Sequence, residues 1–268
     1  MLEIRNVTVT FAKDTVNEKR ALDNIFLLLN EGDFVTIVGE NGAGKSTLFN
    51  CISGVVFPDE GSIILAGQDV TYDPVYKRSK VIGRLFQDPL KGTAPKMTVA
   101  ENLALAYLRA SGVKSPFSRI NKKDREMFAQ RLKQLNMGLE DRLDEPVGLL
   151  SGGQRQALTL AMATIVPPKL LLLDEHTAAL DPAAARQVLD MTVDIVKKHH
   201  ITCLMITHNM YQALEVGNRT LVMSDGKIAL DIGGTKRSRM TVNDLLQEFH
   251  SLSGKQLESD RVLLSRSE

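Results

Sequence analysis

The stretch FVTIVGENGAGKSTLFNCIS, Phe34 to Ser53, contains a strand, a loop and a helix in succession. FVTIV is a short continuous apolar run of the kind that forms a strand covered on both faces. The chain enters a glycine-rich loop directly from it, and the segment from Lys45 to Ser53 continues as a helix. Gly39 to Ser46 fits G-x-x-x-x-G-K-[ST] in the strand, loop and helix setting the pattern requires. Glycines let main-chain N–H groups turn inward around an anion, and the helix start adds partial positive charge. Gly39, Asn41, Gly42, Ala43, Gly44, Lys45, Ser46 and Thr47 are therefore the candidate phosphate-binding residues. Lys45 neutralises the outer phosphates, and the Ser46 hydroxyl can reach a magnesium ion.

Such a loop needs an acidic residue to hold the metal. The apolar run LLLLD, 170 to 174, delivers Asp174 to the end of a buried strand. Glu175 next to it is the candidate general base for an attacking water, because that work needs a carboxylate close to the reacting oxygen. His208 follows the apolar strand ITCLMIT, and its ring can donate to a terminal phosphate whether neutral or charged. Gln87, after the strand VIGRLF, can ligate magnesium or orient water.

A second glycine turn opens a helix at LLSGGQRQALTLAMA, which starts at Leu149. One nucleotide has one terminal phosphate, so two such helix starts in one chain imply a nucleotide held by another copy. Around these segments the first thirty residues read as two strands flanking KDTVNEKR, and SIILAG and VIGRLF read as further strands. From Asp88 to Leu150 the pattern turns helical. Thr98 and Glu101 have capping-box spacing there, and NKKDREMFAQRLKQL keeps the helical period. Asp181-Pro182 opens another helix, LVMSDGKIAL reads as a hairpin turning at Asp225-Gly226, and VNDLLQEFHSL is amphipathic. Strands alternating with helices predict an α/β fold with a mostly parallel sheet covered on both faces.

With 268 residues and 43% hydrophobic content, the chain can bury a sizeable core. Lysine and arginine total 33 against 32 acidic residues, and a net charge of +1 gives no sign of a polyanion-binding surface, so no nucleic-acid partner is expected. Cys51 and Cys203 lie in apolar segments without metal-ligand spacing and read as reduced cytosolic thiols. No secretory leader is visible at the N-terminus. No run approaches the roughly 18 apolar residues of a membrane span, so a membrane process would need another chain to cross the bilayer.

Taken together, the chain resembles the ATPase subunit of an ATP-binding cassette (ABC) transporter over about residues 1 to 235. GENGAGKS matches the Walker A loop, Gln87 the Q-loop glutamine and Leu150 to Gln154 the signature. Leu170 to Asp174 matches the Walker B strand, Ala179 to Asp181 the D-loop and His208 the switch histidine. The resemblance implies a P-loop NTPase core over 1–240 with an N-terminal antiparallel β subdomain and a helical insertion at about 88–160, then a short C-terminal helix and tail over 241–268. It implies ATP as substrate, Mg2+ as cofactor through Ser46, Gln87 and Asp174, and adenine stacking on Phe11. It also implies that Ser151, Gly152, Gly153 and Gln154 meet a nucleotide held by a second ABC ATPase copy, expected to be identical. Catalysis would fall to Glu175, His208, Gln87 and Lys45.

The partners implied are integral membrane permease subunits, docked at the insertion with its Asp88 to Thr98 loop, and through them an extracellular substrate-binding protein. The expected location is cytoplasmic, peripheral on the inner face of the cell membrane. DEHTAALDP departs from the family in placing His176 where most members have proline. That variant and the ending after the SDGK hairpin resemble ATPases serving uptake of amino acids, with aromatic ones as a candidate cargo. The alternative is a soluble ABC ATPase in a non-transport process such as iron–sulfur cluster assembly. A nucleotide sensor without catalysis would be expected to lack Glu175.

Overall fold

The structure is a computed structural model that describes residues 1–112 and 120–253, so the expected tail from residue 254 onward lies outside the described residues. Two long antiparallel strands come first, β1 (Leu2–Phe11) and β2 (Lys19–Leu29). Leu2, Ile4, Val7 and Val9 are buried opposite Leu29, Leu27, Ile25 and Leu22 in register. β2 begins ahead of the apolar run because Lys19 and Arg20 pair with Phe11 and Thr10. β3 (Phe34–Gly39) is buried along its whole length and leads to α1 (Lys45–Ser53), with the bounds the sequence predicts. β4 (Glu60–Leu65) starts earlier than the predicted SIILAG because Glu60 pairs with Thr8. It stops at Leu65, where Ala66 and Gly67 turn with positive φ into β5 (Gln68–Asp69). One helical turn, α2 (Val75–Arg78), and β6 (Ile82–Leu85) follow.

Then come α3 (Val99–Ser111), α4 (Lys122–Lys133) and α5 (Gly152–Thr164), each opened by a reciprocal capping box. The Thr98 and Glu101 spacing had pointed to the first of these. β7 (Leu170–Asp174) precedes α6 (Pro182–His199), whose cap Asp181 accepts from the Ala184 N–H. After β8 (Thr202–Ile206) and α7 (Met210–Glu215), β9 (Arg219–Ser224) and β10 (Lys227–Gly233) form the predicted hairpin. Asp225 and Gly226 both take positive φ there, as a two-residue hairpin turn demands. α8 (Gly234–Arg239) and α9 (Val242–Ser253) end the described chain.

The chain divides into two compact units, Met1–Arg78 with Thr202–Glu268, and Ser79–Ile201. The first holds an antiparallel sheet in the order β2-β1-β4-β5. It also holds β3, which is parallel to both β8 and β9, with β10 antiparallel to β9. Val38, Met210, Ala213, Val222, Leu245, Leu246 and Phe249 share one core cluster, so the amphipathic face of α9 is packed against α7 and the sheet. Arg78 is fully buried, and its guanidinium donates to the carbonyls of Cys51, Ile52, Thr71 and Asp73. Together with the Gly54 N–H, which donates to the Asn50 and Cys51 carbonyls, it closes the end of α1. In the second unit β6 runs parallel to β7, and α3, α4 and α5 enclose Leu103, Phe128, Leu132, Leu158 and their neighbours. The α/β class expected from the sequence is the one observed, with β3, β8 and β9 parallel in the first unit, β6 and β7 parallel in the second, and an antiparallel N-terminal sheet.

Candidate functional site

In the first unit, β3 delivers the glycine loop and α1 receives it. Gly44 caps α1 with φ 99, with no side-chain cap hydrogen bond and no acidic residue in the first turn. The end of a helix that presents N–H groups without a competing carboxylate suits a phosphate. A Cβ at Gly44 would collide with the Ala21 carbonyl oxygen, and one at Gly39 with that of Met223, so the loop closes only around glycine. The Lys45 ammonium folds back over the loop to the carbonyls of Gly39 at 2.7 Å and Glu40 at 2.8 Å. A lysine that is 6% exposed thus places a positive charge inside the turn.

His208 lies beyond the end of β8, next to β3 in the sheet, and the Thr207 N–H donates to the Ile37 carbonyl. The first unit therefore brings the loop and His208 to the same sheet edge. Thr207, Asn209 and Gln212 bracket the histidine. The Thr207 hydroxyl donates to Gln212 Oε1 and accepts from the Asn209 N–H, while Asn209 Oδ1 accepts from the Gln212 N–H. Phe11 ends β1 half exposed, opposite Lys19 in register. The Lys19 ammonium reaches the loop, 3.5 Å from the position a Cβ would take at Gly42. Lys19 sits in a polar stretch that gave no signal in the sequence.

In the second unit, β7 ends at Asp174, and the Arg84 guanidinium of neighbouring β6 lies 3.5 Å from its carboxylate. Arg84 also stacks over the Phe86 ring, 4.7 Å from its centre. Burial pushes the Arg84 guanidinium below its ordinary value, and Asp174 opposes that shift. A charged residue inside the apolar run VIGRLF was the available signal for it. Gln87 Nε2 donates to Glu175 Oε2 at 3.3 Å, so the candidate base and the Q-loop amide meet. Glu175 itself holds a left-handed backbone at φ 47.

His176 is fully buried, and burial drives its imidazole from 6.5 down to about 4. The Thr192 hydroxyl donates to the Val188 carbonyl, so His176 Nε2, 3.3 Å from that hydroxyl, carries a proton and donates to it.

At the second glycine turn, Ser151 caps α5, accepting from the Gln154 N–H, while Gln154 Oε1 accepts from the Ser151 N–H and from Arg142 at 2.7 Å. Gln154 Nε2 donates to the Met137 carbonyl, so this side chain is engaged in shaping the helix start. Ser151 and Gly152 are exposed. Gly153 is buried where a Cβ would crowd that of Ala184. Ser46 in the first unit offers a hydroxyl oxygen, and Gln87 and Asp174 in the second offer amide and carboxylate oxygens, each a hard donor of the kind magnesium takes. Gly39 and Gly44 leave the tight turn that fits a phosphate chain.

A family profile described as ABC transporter matches residues 22–178. The tyrosine transport ATP-binding protein of Clostridioides difficile is 39% identical over 249 residues, covering 93% of this chain and 98% of that protein. The phosphonates import ATP-binding protein of Halobacterium salinarum is 35% identical over 228 residues, covering 84% of this chain and 78% of its own length. Among solved structures, the dimeric post-hydrolysis state of the ATP-binding cassette MJ0796 bound to ADP and Pi superposes with a TM-score of 0.74. It is 28% identical and covers 87% of this chain and 98% of that one.

Proposed function

This chain belongs to the ABC transporter family as an ATP-hydrolysing subunit, and on that premise we propose that it works as a homodimer beneath a separate membrane permease to drive uptake of an amino acid. The observation that carries the dimer is the pair of glycine-opened helix starts. α1 is uncapped by any side chain, and α5 presents exposed Ser151 and Gly152. A single ATP uses one of each, the second supplied by the other copy, so the groups in trans act on the terminal phosphate only when the copies close.

Within each copy the loop from Gly39 to Thr47 binds the phosphates, Lys45 offsets their charge and Phe11 stacks on the base. Ser46, Gln87 and Asp174 would hold magnesium, which when bound neutralises charge on the outer phosphates. Glu175 takes a proton from water as the water oxygen bonds to the terminal phosphorus. The bond from that phosphorus to the bridging oxygen of ADP breaks, releasing inorganic phosphate. His208 donates to the terminal phosphate, and Gln87, hydrogen bonded to Glu175, orients the base.

Two features support a permease partner. Among the described residues no helix is long and apolar enough to cross a membrane, so transport requires spans from elsewhere. Phe57, Tyr72, Val75 and Tyr76 are exposed in the first unit, and Leu90 is exposed in the Asp88 to Thr98 segment of the second. Aromatic groups of this kind fit a partner surface. An amino-acid cargo, with aromatic ones foremost, is supported by the near full-length likeness to a protein named for tyrosine transport. The seat on the inner face of the membrane follows from the permease.

Complementation tests the divided site. Lys45→Ala and Ser151→Arg chains, each inactive alone, are mixed, and the mixed dimer, with one intact composite site of two, is expected to recover up to about half of wild-type turnover per dimer. Mixed dimers that form yet stay inactive would exclude groups supplied in trans.

A further inference from the structure

α7 is six residues long, too short to hold itself together by its own hydrogen bonds. Its first residue, Met210, stands two positions after His208. The brackets on His208, Thr207 and Asn209, are both tied to Gln212 of the same helix. The place of the imidazole at the sheet edge therefore depends on what fixes α7.

Two groups from the C-terminal segment do so. At the far end of α7 the Arg237 guanidinium of α8 donates to the carbonyls of Ala213 at 2.8 Å, Val216 and Gly217 at 2.8 Å. Its Nε donates to the Thr220 hydroxyl at 2.9 Å. The Ala213 and Val216 carbonyls belong to the end of α7, where a helix leaves carbonyls without intrahelical partners, and a cation there also opposes the helix dipole. The same Ala213 carbonyl accepts from the hydroxyls of Thr36 and Thr220, so the network reaches β3, the strand that enters the glycine loop. On the side of α7, Met210 and Ala213 are buried against Leu245, Leu246 and Phe249 of α9 and against Val38, the residue before Gly39.

We propose that Arg237 of α8 is a positioning residue that sets His208 through α7. The proposal rests on the reading of His208 as a donor to the terminal phosphate. Arg237 touches no reacting atom, so its removal should spare ATP binding and slow the step that needs the histidine. A residue that merely anchored the C-terminal segment would change stability without that division.

The test compares Arg237→Gln, His208→Ala and the double variant in the full-length protein, reading kcat and KM for ATP, ATP affinity by calorimetry and thermal unfolding. Arg237→Gln is expected to lower kcat about tenfold with affinity held within about twofold, and the double variant should be no slower than His208→Ala alone. Arg237→Lys, which keeps the charge but fewer donors, should fall between. Phe249→Ala, which loosens α7 from its side, gives the same division should Arg237→Gln fold poorly. A double variant about tenfold slower than His208→Ala would overturn the proposal, because Arg237 would then act independently of the histidine. A kcat loss in Phe249→Ala and Arg237→Lys that merely tracks the folded fraction would overturn it as well. Normal turnover of His208→Ala would instead remove the reading of His208 on which the proposal stands.

Discussion

Glu175 keeps a positive φ of 47, a conformation that costs a non-glycine residue energy and is tolerated where surrounding contacts enforce it. Its carboxylate accepts from the Gln87 amide. Glu175→Gln leaves the shape and the hydrogen-bonding capacity nearly intact while removing the proposed base. It is expected to bind ATP normally in a filter assay and to turn over about a hundredfold or more slowly. Next to it, His176 replaces a proline of the family pattern with a buried titratable ring. Its folded value near 4 lies below its ordinary 6.5, so the unfolded chain binds the extra proton between those values. Stability from the neutral ring is complete above pH 6.5 and is lost as pH falls toward 4, by about 3 kcal/mol in full. Urea midpoints between pH 7 and 4.5 should fall less steeply in His176→Gln than in the parent protein. Parallel curves would rule out the ring as a source of acid sensitivity.

At the scale of elements, long periodic helices and apolar strands were readable, and short ones were not. α1 and β7 have the predicted bounds because a glycine turn or a terminal carboxylate marks their ends. α2, α7 and α8 span four to six residues, too few for a helical period to show. Arg78 and Arg237 gather carbonyls from segments distant in sequence, and a lone arginine in a polar stretch carries no sign of that. The candidate site divides in the same way. The motifs announced Lys45, Asp174 and Glu175, whereas Arg84 beside Asp174 and Lys19 beside Gly42 depend on strand register. The capping box of α3 makes a clean test of local chemistry. Thr98→Ala removes the acceptor of the Glu101 N–H and should cost about 1 kcal/mol in urea unfolding, with ATP turnover unchanged. A loss below about 0.3 kcal/mol would show that tertiary packing alone holds the start of α3.

At the scale of the whole molecule, the proposed function depends on other chains. The exposed rings of Tyr72 and Tyr76 lie in one unit, away in sequence from every motif that handles ATP. Replacing both by glutamate should leave turnover of the isolated protein within about twofold and abolish its recovery with membranes that carry the permease, because a charge in a desolvated contact is costly. Equal recovery of variant and parent with those membranes would move the docking surface elsewhere.

Cys51 and Cys203, the two thiols of the sequence, are both buried, and burial pushes Cys51 up to about 11 and Cys203 well above its ordinary value. Reaction with maleimides runs through the thiolate, so the native protein is close to silent toward such dyes at neutral pH. A single cysteine introduced at fully exposed Val16 would then be the sole address for a fluorophore, with both native cysteines left in place. Energy transfer between labelled copies would follow pairing and separation during turnover in an otherwise unaltered enzyme.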